Sequence, residues 1–121
     1  MANTFKVVNF AAEPNSAGTA YTMYTVAGST TTVILGLILT NIHTTAVTAE
    51  VELHSDTAGR AVNNNTANGI SILAKDVNIP SGTSLELLSG GKIVMEATDE
   101  LKIDCSVADK LSGTLSIMEI T

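Results

Sequence analysis

The sequence predicts an all-β chain folded as a single antiparallel β-sandwich, jelly-roll-like or immunoglobulin-like, of about 8–9 strands. Three observations predict it. Segments rich in Thr, Val and Ile either alternate in polarity or run apolar. Gly, Asn, Ser and Pro divide them at the roughly 8–12-residue spacing of small sandwiches. No segment of helical length carries a 3.6-residue apolar period.

Thr4 to Phe10 reads as the first strand, and Glu13-Pro14-Asn15-Ser16 carries turn chemistry within the loop 11–18. Tyr21 to Val26 is a second strand, turned by Ala27-Gly28-Ser29. Thr31 to Ile42 is a long third strand, too β-branched for a helix and interrupted by Gly36. From Ala46 to His54 the alternation is clean, with Val47, Ala49, Val51 and Leu53 on one face and Thr48, Glu50, Glu52 and His54 on the other. An Asn-rich stretch within Ser55 to Gly69 is too polar to bury itself and predicts an exposed, mobile loop.

Ile70 to Ile79 is the next strand, ended by Pro80-Ser81-Gly82. Thr83 to Leu88 and Lys92 to Glu96 read as a hairpin about Ser89-Gly90-Gly91. Thr98-Asp99-Glu100 is an acidic turn. Leu101 to Val107 alternates, the segment 108–113 reads as a loop, and Thr114 to Ile120 closes the chain.

The 121 residues suit one domain, 1–121, able to bury a core without metal or disulfide staples. Hydrophobic residues make up 45% and charged ones 15%, the composition of a globular chain. The net charge of −6 and the dispersed basic residues oppose a nucleic-acid partner. With no Trp and only two Phe and two Tyr, aromatic-walled ligand or sugar sites are disfavoured. The apolar run Val33 to Leu39 is far short of the ~20 residues that span a bilayer as a helix, so no membrane partner is expected. The start Met1-Ala2-Asn3-Thr4 has no leader pattern, which predicts a protein made and assembled in a cytoplasm.

Chemistry-bearing residues are sparse. Cys105 is the sole cysteine and falls on an inward strand face, where it reads as a small buried hydrophobe. His43 and His54 flank one strand without metal-ligand spacing and read as surface residues. The pairs Asp99–Glu100 and Glu50–Glu52, with Asp104, read as solvated carboxylates rather than as metal ligands or catalytic acids. Gly-rich phosphate loops and nucleophile elbows are missing. The expectation is therefore no enzyme, no cofactor and no metal.

Two segments are apolar on both faces, and the segment Ile70 to Ile79 is similar, with Ile70, Ile72 and Ala74 opposing Leu73, Val77 and Ile79. In the third strand Val33, Leu35, Leu37 and Leu39 oppose Ile34, Ile38 and Ile42, and in the last Leu115 and Ile117 oppose Met118 and Ile120. A sandwich covers one face of each strand, so the second needs a cover, either a loop of the chain or another subunit. Ile34, Ile38, Ile42, Met118 and Ile120 are the candidate assembly interface, and Asp at Ile34 or Ile38 is expected to block assembly while sparing the fold.

Residues 79 to 120 resemble a pattern of small virion proteins of tailed bacteriophages. Pro80 and Gly82 match a strand-ending turn, and Leu87, Leu88 and Gly90 a Gly-containing hairpin. Asp99-Glu100-Leu101 match an acidic turn, and Glu119-Ile120 a terminal strand end. In the first half Tyr24-Thr25-Val26, Gly28-Ser29-Thr30 and Thr40-Asn41 fit the same pattern, from which the Asn-rich loop departs. The resemblance implies a homo-oligomeric virion structural protein, foremost a capsid decoration protein binding the major capsid protein of the assembled head. The alternatives are a neck, tail or fibre component and a carbohydrate- or host-surface-binding sandwich.

Overall fold

The structure, a computed structural model, describes residues 2–55, 69–88 and 91–121. The Asn-rich loop expected to be mobile lies, over residues 56–68, outside the described residues, as do Ser89 and Gly90 of the expected hairpin turn. Nine strands are described: β1 Asn3–Glu13, β2 Tyr21–Thr25, β3 Thr31–Asn41, β4 Val47–Ser55, β5 Gly69–Ile79, β6 Ser84–Leu87, β7 Ile93–Met95, β8 Glu100–Cys105 and β9 Leu111–Ile120.

They form two antiparallel sheets packed as a sandwich. The first has the order β1-β9-β3-β6, with β7 also on β3; the second has the order β2-β8-β4-β5. The expected β6–β7 hairpin is not formed. β6 pairs with Leu37 to Thr40 and β7 with Thr32 to Ile34, so the two lie end to end along one side of β3. Counted as one interrupted edge strand they leave eight strands, and the chain crosses between sheets at most connections. That arrangement is a jelly roll.

The last strand begins at Leu111, inside the segment that reads as a loop, because β9 is the one strand of the first sheet paired along its whole length on both sides. Gly113 interrupts the alternation in the sequence, but the ring of Phe10 fills the space its side chain would take.

A bulge in β3 decides which residues reach the core. Ile34 stands opposite Ile117 and Gly36 opposite Ser116, leaving Leu35 as an extra residue. Two residues against one invert the alternation beyond that point. Ile34, Leu37 and Leu39 therefore all point inward, onto Leu115, Ile117 and Leu111 of β9 and the buried Val47, Val51, Leu101 and Ile103 of the other sheet. Each such side chain contributes about 1.5–3 kcal/mol by leaving water. Strand β4 keeps the expected alternation, Val47, Ala49 and Val51 buried and Thr48, Glu50 and Glu52 outside.

Two polar knots hold the ends of the sandwich. Asn41 is fully buried where β3 ends; its amide donates to the carbonyls of Thr45 at 2.9 Å and Ile79 at 2.8 Å, and its Oδ1 accepts from the His43 N–H at 2.7 Å. At the opposite end Glu119 of β9 accepts from the Tyr24 hydroxyl of β2 and pairs with Lys6 of β1.

Candidate functional site

The two outer faces of the sandwich differ in chemistry. On the second sheet, cross-strand neighbours are Glu50 with Asp104, Glu52 with Lys102 and His54 with Glu100. Lys75 reaches Glu50 at 3.0 Å, and His54 reaches Glu52 at 2.8 Å. The hydrogen bond with Glu50, then that with His54, holds the Glu52 carboxyl below its ordinary range. A polar cleft of about 180 Å³ lies here between Gly18, Thr48, Glu50, Asp76 and Asp104. Asp104 is already engaged, accepting from the Gly18 N–H at 3.2 Å and the Cys105 N–H at 2.8 Å. Among the described residues no three His, Cys, Asp or Glu side chains converge as metal ligands.

Asp99 departs from the solvated reading. It is buried, and its Oδ2 accepts from the Glu96 N–H at 3.0 Å while its carbonyl accepts from the Val26 N–H at 2.9 Å. The acidic turn is thus a structural tie between β2 and β8. His54 is only partly exposed, because it leans on Glu52. Cys105 is buried.

The outer face of the first sheet is apolar. Register places Phe5 of β1 opposite Met118 of β9, Met118 opposite Val33 of β3, and Val33 opposite Val94 of β7. The four side chains form one row across all the strands of the sheet at that level. Phe5 is 72% exposed and Val94 61%. Val7, 63% exposed, stands beside this row opposite Ser116. The bulge pushes Leu35 outward, and a shallow groove of about 250 Å³ runs between Phe5, Val7, Leu35 and Ser116. The remaining outward positions of these strands are Ala, Thr, Ser, Asn, Ile or Gly, apart from Glu86 opposite Ile38. Large exposed apolar patches of this kind mark contact surfaces.

The five interface residues expected from the sequence are not all brought together. Ile34 is a correction: the bulge turns it into the core, where it is fully buried. Ile38, 41% exposed, is on the apolar face opposite Thr114. Met118 stands at the centre of the row, and Ile120 is on the same face, opposite Asn3 and Thr31. Ile42 lies beyond the end of β3, its N–H bonded to the Lys110 carbonyl, away from the row. Phe5, Val7 and Val94 were not singled out by the sequence. Their strands are also apolar on both faces, with Phe5 and Val7 against Val8 and Phe10 in β1 and with Ile93-Val94-Met95 in β7, but only their register reveals the row.

Both tyrosines make contacts within the fold. Tyr21 packs edge-on against Phe10, centroids 5.3 Å apart, and the hydroxyl of Tyr24 is bound to Glu119 and Thr32. Among the described residues no helix is long and apolar enough to cross a membrane.

No protein-family model and no curated protein matches the chain. Solved structures do. It is similar to a chain of the T13 viral particle of infectious bursal disease virus, with 13% identity, a TM-score of 0.55 and coverage of 97% of this chain and 30% of that one. It is similar to a chain in the structure of the Gx strain of the same virus, with 15% identity, a TM-score of 0.53 and coverage of 96% and 32%. The chain spans about a third of the length of those viral chains. At such identities the likeness establishes a shared β-sandwich fold.

Proposed function

We propose that the chain is a structural subunit of a virus particle and docks through the apolar outer face of its first sheet. The observation that carries this reading is the uncovered row Phe5, Met118, Val33 and Val94, set in a face whose strands project a single charge, Glu86. The acidic face of the second sheet, with Glu50, Glu52, Glu100 and Asp104, then points away from the contact and keeps the assembly soluble. The likeness in fold to viral-particle chains supports the setting. The turn and strand motifs that resemble small tailed-phage virion proteins favour decoration of a phage head, with the major capsid protein as partner. An acidic domain whose described residues form strands and no helix suits an added part, whose work is recognition rather than catalysis.

Imaging particles that carry the chain tests this. Copies repeated over the head lattice are expected, together with loss of those copies in Val94→Asp, which leaves the core untouched. Copies confined to one vertex or to a tail would move the protein to the neck or tail, and absence from particles would end the reading. A glycan array with reproducible hits would favour the carbohydrate-binding alternative.

A further inference from the structure

Among the described residues four strand edges bound the two sheets, and three of them are unsuited to pairing with another chain. β2 has five residues and a bulge between Thr22 and Tyr24. β5 is bulged against β4 and carries Lys75 and Asp76. The β6/β7 edge is interrupted in its middle. Natural sandwiches blunt their edges with short strands, bulges and charges of this kind.

β1 has none of these devices over most of its length. Its register with β9 is unbroken from Asn3 to Phe10, and Lys6 is its sole charge there. That charge is already matched by Glu119, 2.6 Å away. Half of the peptide groups of β1 are left free by its pairing with β9. Ala2 and Thr121 exchange both of their backbone hydrogen bonds, at 3.2 and 3.0 Å. Antiparallel pairs alternate between bonded and non-bonded. In this register Thr4, Lys6, Val8 and Phe10 therefore aim their N–H and C=O groups at β9, while Asn3, Phe5, Val7 and Asn9 aim theirs off the sheet. Among the described residues no strand pairs with that edge. The same four residues carry their side chains on the apolar outer face.

We infer that β1 pairs with β1 of a second copy of this chain, antiparallel and about a two-fold axis, so that the two first sheets become one. An extended strand is the partner a row of free peptide groups recognises. A second copy is favoured because the edge is compatible with itself: Lys6 is its one charge from Asn3 to Phe10 and Glu119 compensates it, so antiparallel self-pairing sets no uncompensated like charges against each other. The axis falls at Val7. Residues that face one another must both carry free groups, and centring on Lys6 would oppose two like charges. In this register Val7 meets Val7 of the second copy and Phe5 meets Asn9. The pairing also doubles the width of the apolar face, so the inference rests on the docking reading while being separable from it.

Val7→Pro and Val7→Cys test it on the whole chain in solution. Proline at position 7 removes an N–H that β9 does not use. It is expected to abolish a dimer seen for the parent in sedimentation, with the circular dichroism of the folded chain retained. The cysteine is expected to form a disulfide-linked dimer under mild oxidation, since Cys105 is buried and does not compete. A monomeric parent, a Val7→Pro chain that still dimerises, or a Val7→Cys chain that stays unlinked would each overturn it. A monomeric parent that binds particles, with binding lost in Val7→Pro, would assign the edge to an extended arm of another protein. A dimer that binds no particle would retain the pairing and remove the virion reading.

Discussion

The hydroxyl of Tyr24 donates to Oε2 of Glu119 at 2.5 Å, joining β2 of one sheet to β9 of the other. Thr32 lies 2.8 Å from the same hydroxyl, and Lys6 holds the second carboxylate oxygen at 2.6 Å. Burial, and then the hydrogen bond to Glu119, pushes the phenol up to about 12 from 10.0. The hydrogen bonds from Lys6 and Tyr24 hold Glu119 below its usual value of 4.5.

These opposite shifts predict a plateau in stability with two flanks. A phenol raised in the folded state contributes fully below pH 10.0 and loses its contribution as pH climbs towards 12. A depressed carboxyl contributes above 4.5 and loses its contribution as pH falls below that. Urea midpoints measured across pH are expected to fall on both sides. Tyr24→Phe should flatten the alkaline side, and Glu119→Gln both. An alkaline decline unchanged in Tyr24→Phe would place the linkage elsewhere.

Ile34 and Ile38, one helical turn apart in sequence spacing yet both on one strand, are predicted to respond oppositely to Asp. Ile34→Asp buries a carboxylate among Leu and Ile side chains with no partner, which costs several kcal/mol and unfolds the chain. Ile38→Asp places the charge on the exposed face beside Thr114 and opposite Glu86, where like-charge repulsion contributes to a cost of about 1 kcal/mol. The expectation that both substitutions spare the fold therefore holds for Ile38 alone. Thermal melts of the two variants settle the direction, and equal losses would contradict the bulge at Leu35.

That bulge also shows where legibility ends. Strand identities were readable because Thr, Val and Ile between turn residues have few other ways to bury themselves, and the β4 alternation placed its faces correctly. An inserted residue leaves no mark in a run where every side chain is aliphatic, since Val33 to Leu39 reads as apolar in either phase. The hairpin signal Ser89-Gly90-Gly91 was equally blind to β3, which both flanking strands prefer to each other. The apolar face was legible in Met118 and Ile120. Phe5 and Val94 joined it only through long-range register, which local pattern does not carry.

Asn41 is the side chain on which the β3 end depends most. Three hydrogen bonds converge on a group with no access to water. Asn41→Leu would match its volume but leave the carbonyls of Ile79 and Thr45 and the N–H of His43 to find other partners. A loss of about 2–4 kcal/mol is expected, read as a lowered denaturant midpoint with the slope unchanged. A loss below about 0.5 kcal/mol would mean that water reaches those groups in its place.

Gly113 and Phe10 are predicted to be energetically coupled. A β-carbon at 113 would stand 2.6 Å from Cζ of Phe10, closer than packed carbons tolerate, and 3.2 Å from Cδ2 of Leu39, a tight contact that the leucine must ease by a few tenths of an ångström. The ring cannot simply swing aside, because Tyr21 meets it edge-on at 5.3 Å. Gly113→Ala should therefore cost about 1–3 kcal/mol by overpacking. Phe10→Leu alone should also destabilise, since it removes the aromatic contact and leaves a void over Gly113. The double variant fills that void with the new methyl group. Its loss is expected to fall short of the sum of the two singles by at least about 0.5 kcal/mol, the signature of side chains that share one space. Additive losses would show that β9 shifts to relieve the clash, and would undo the account of why a glycine sits within the central strand of the first sheet.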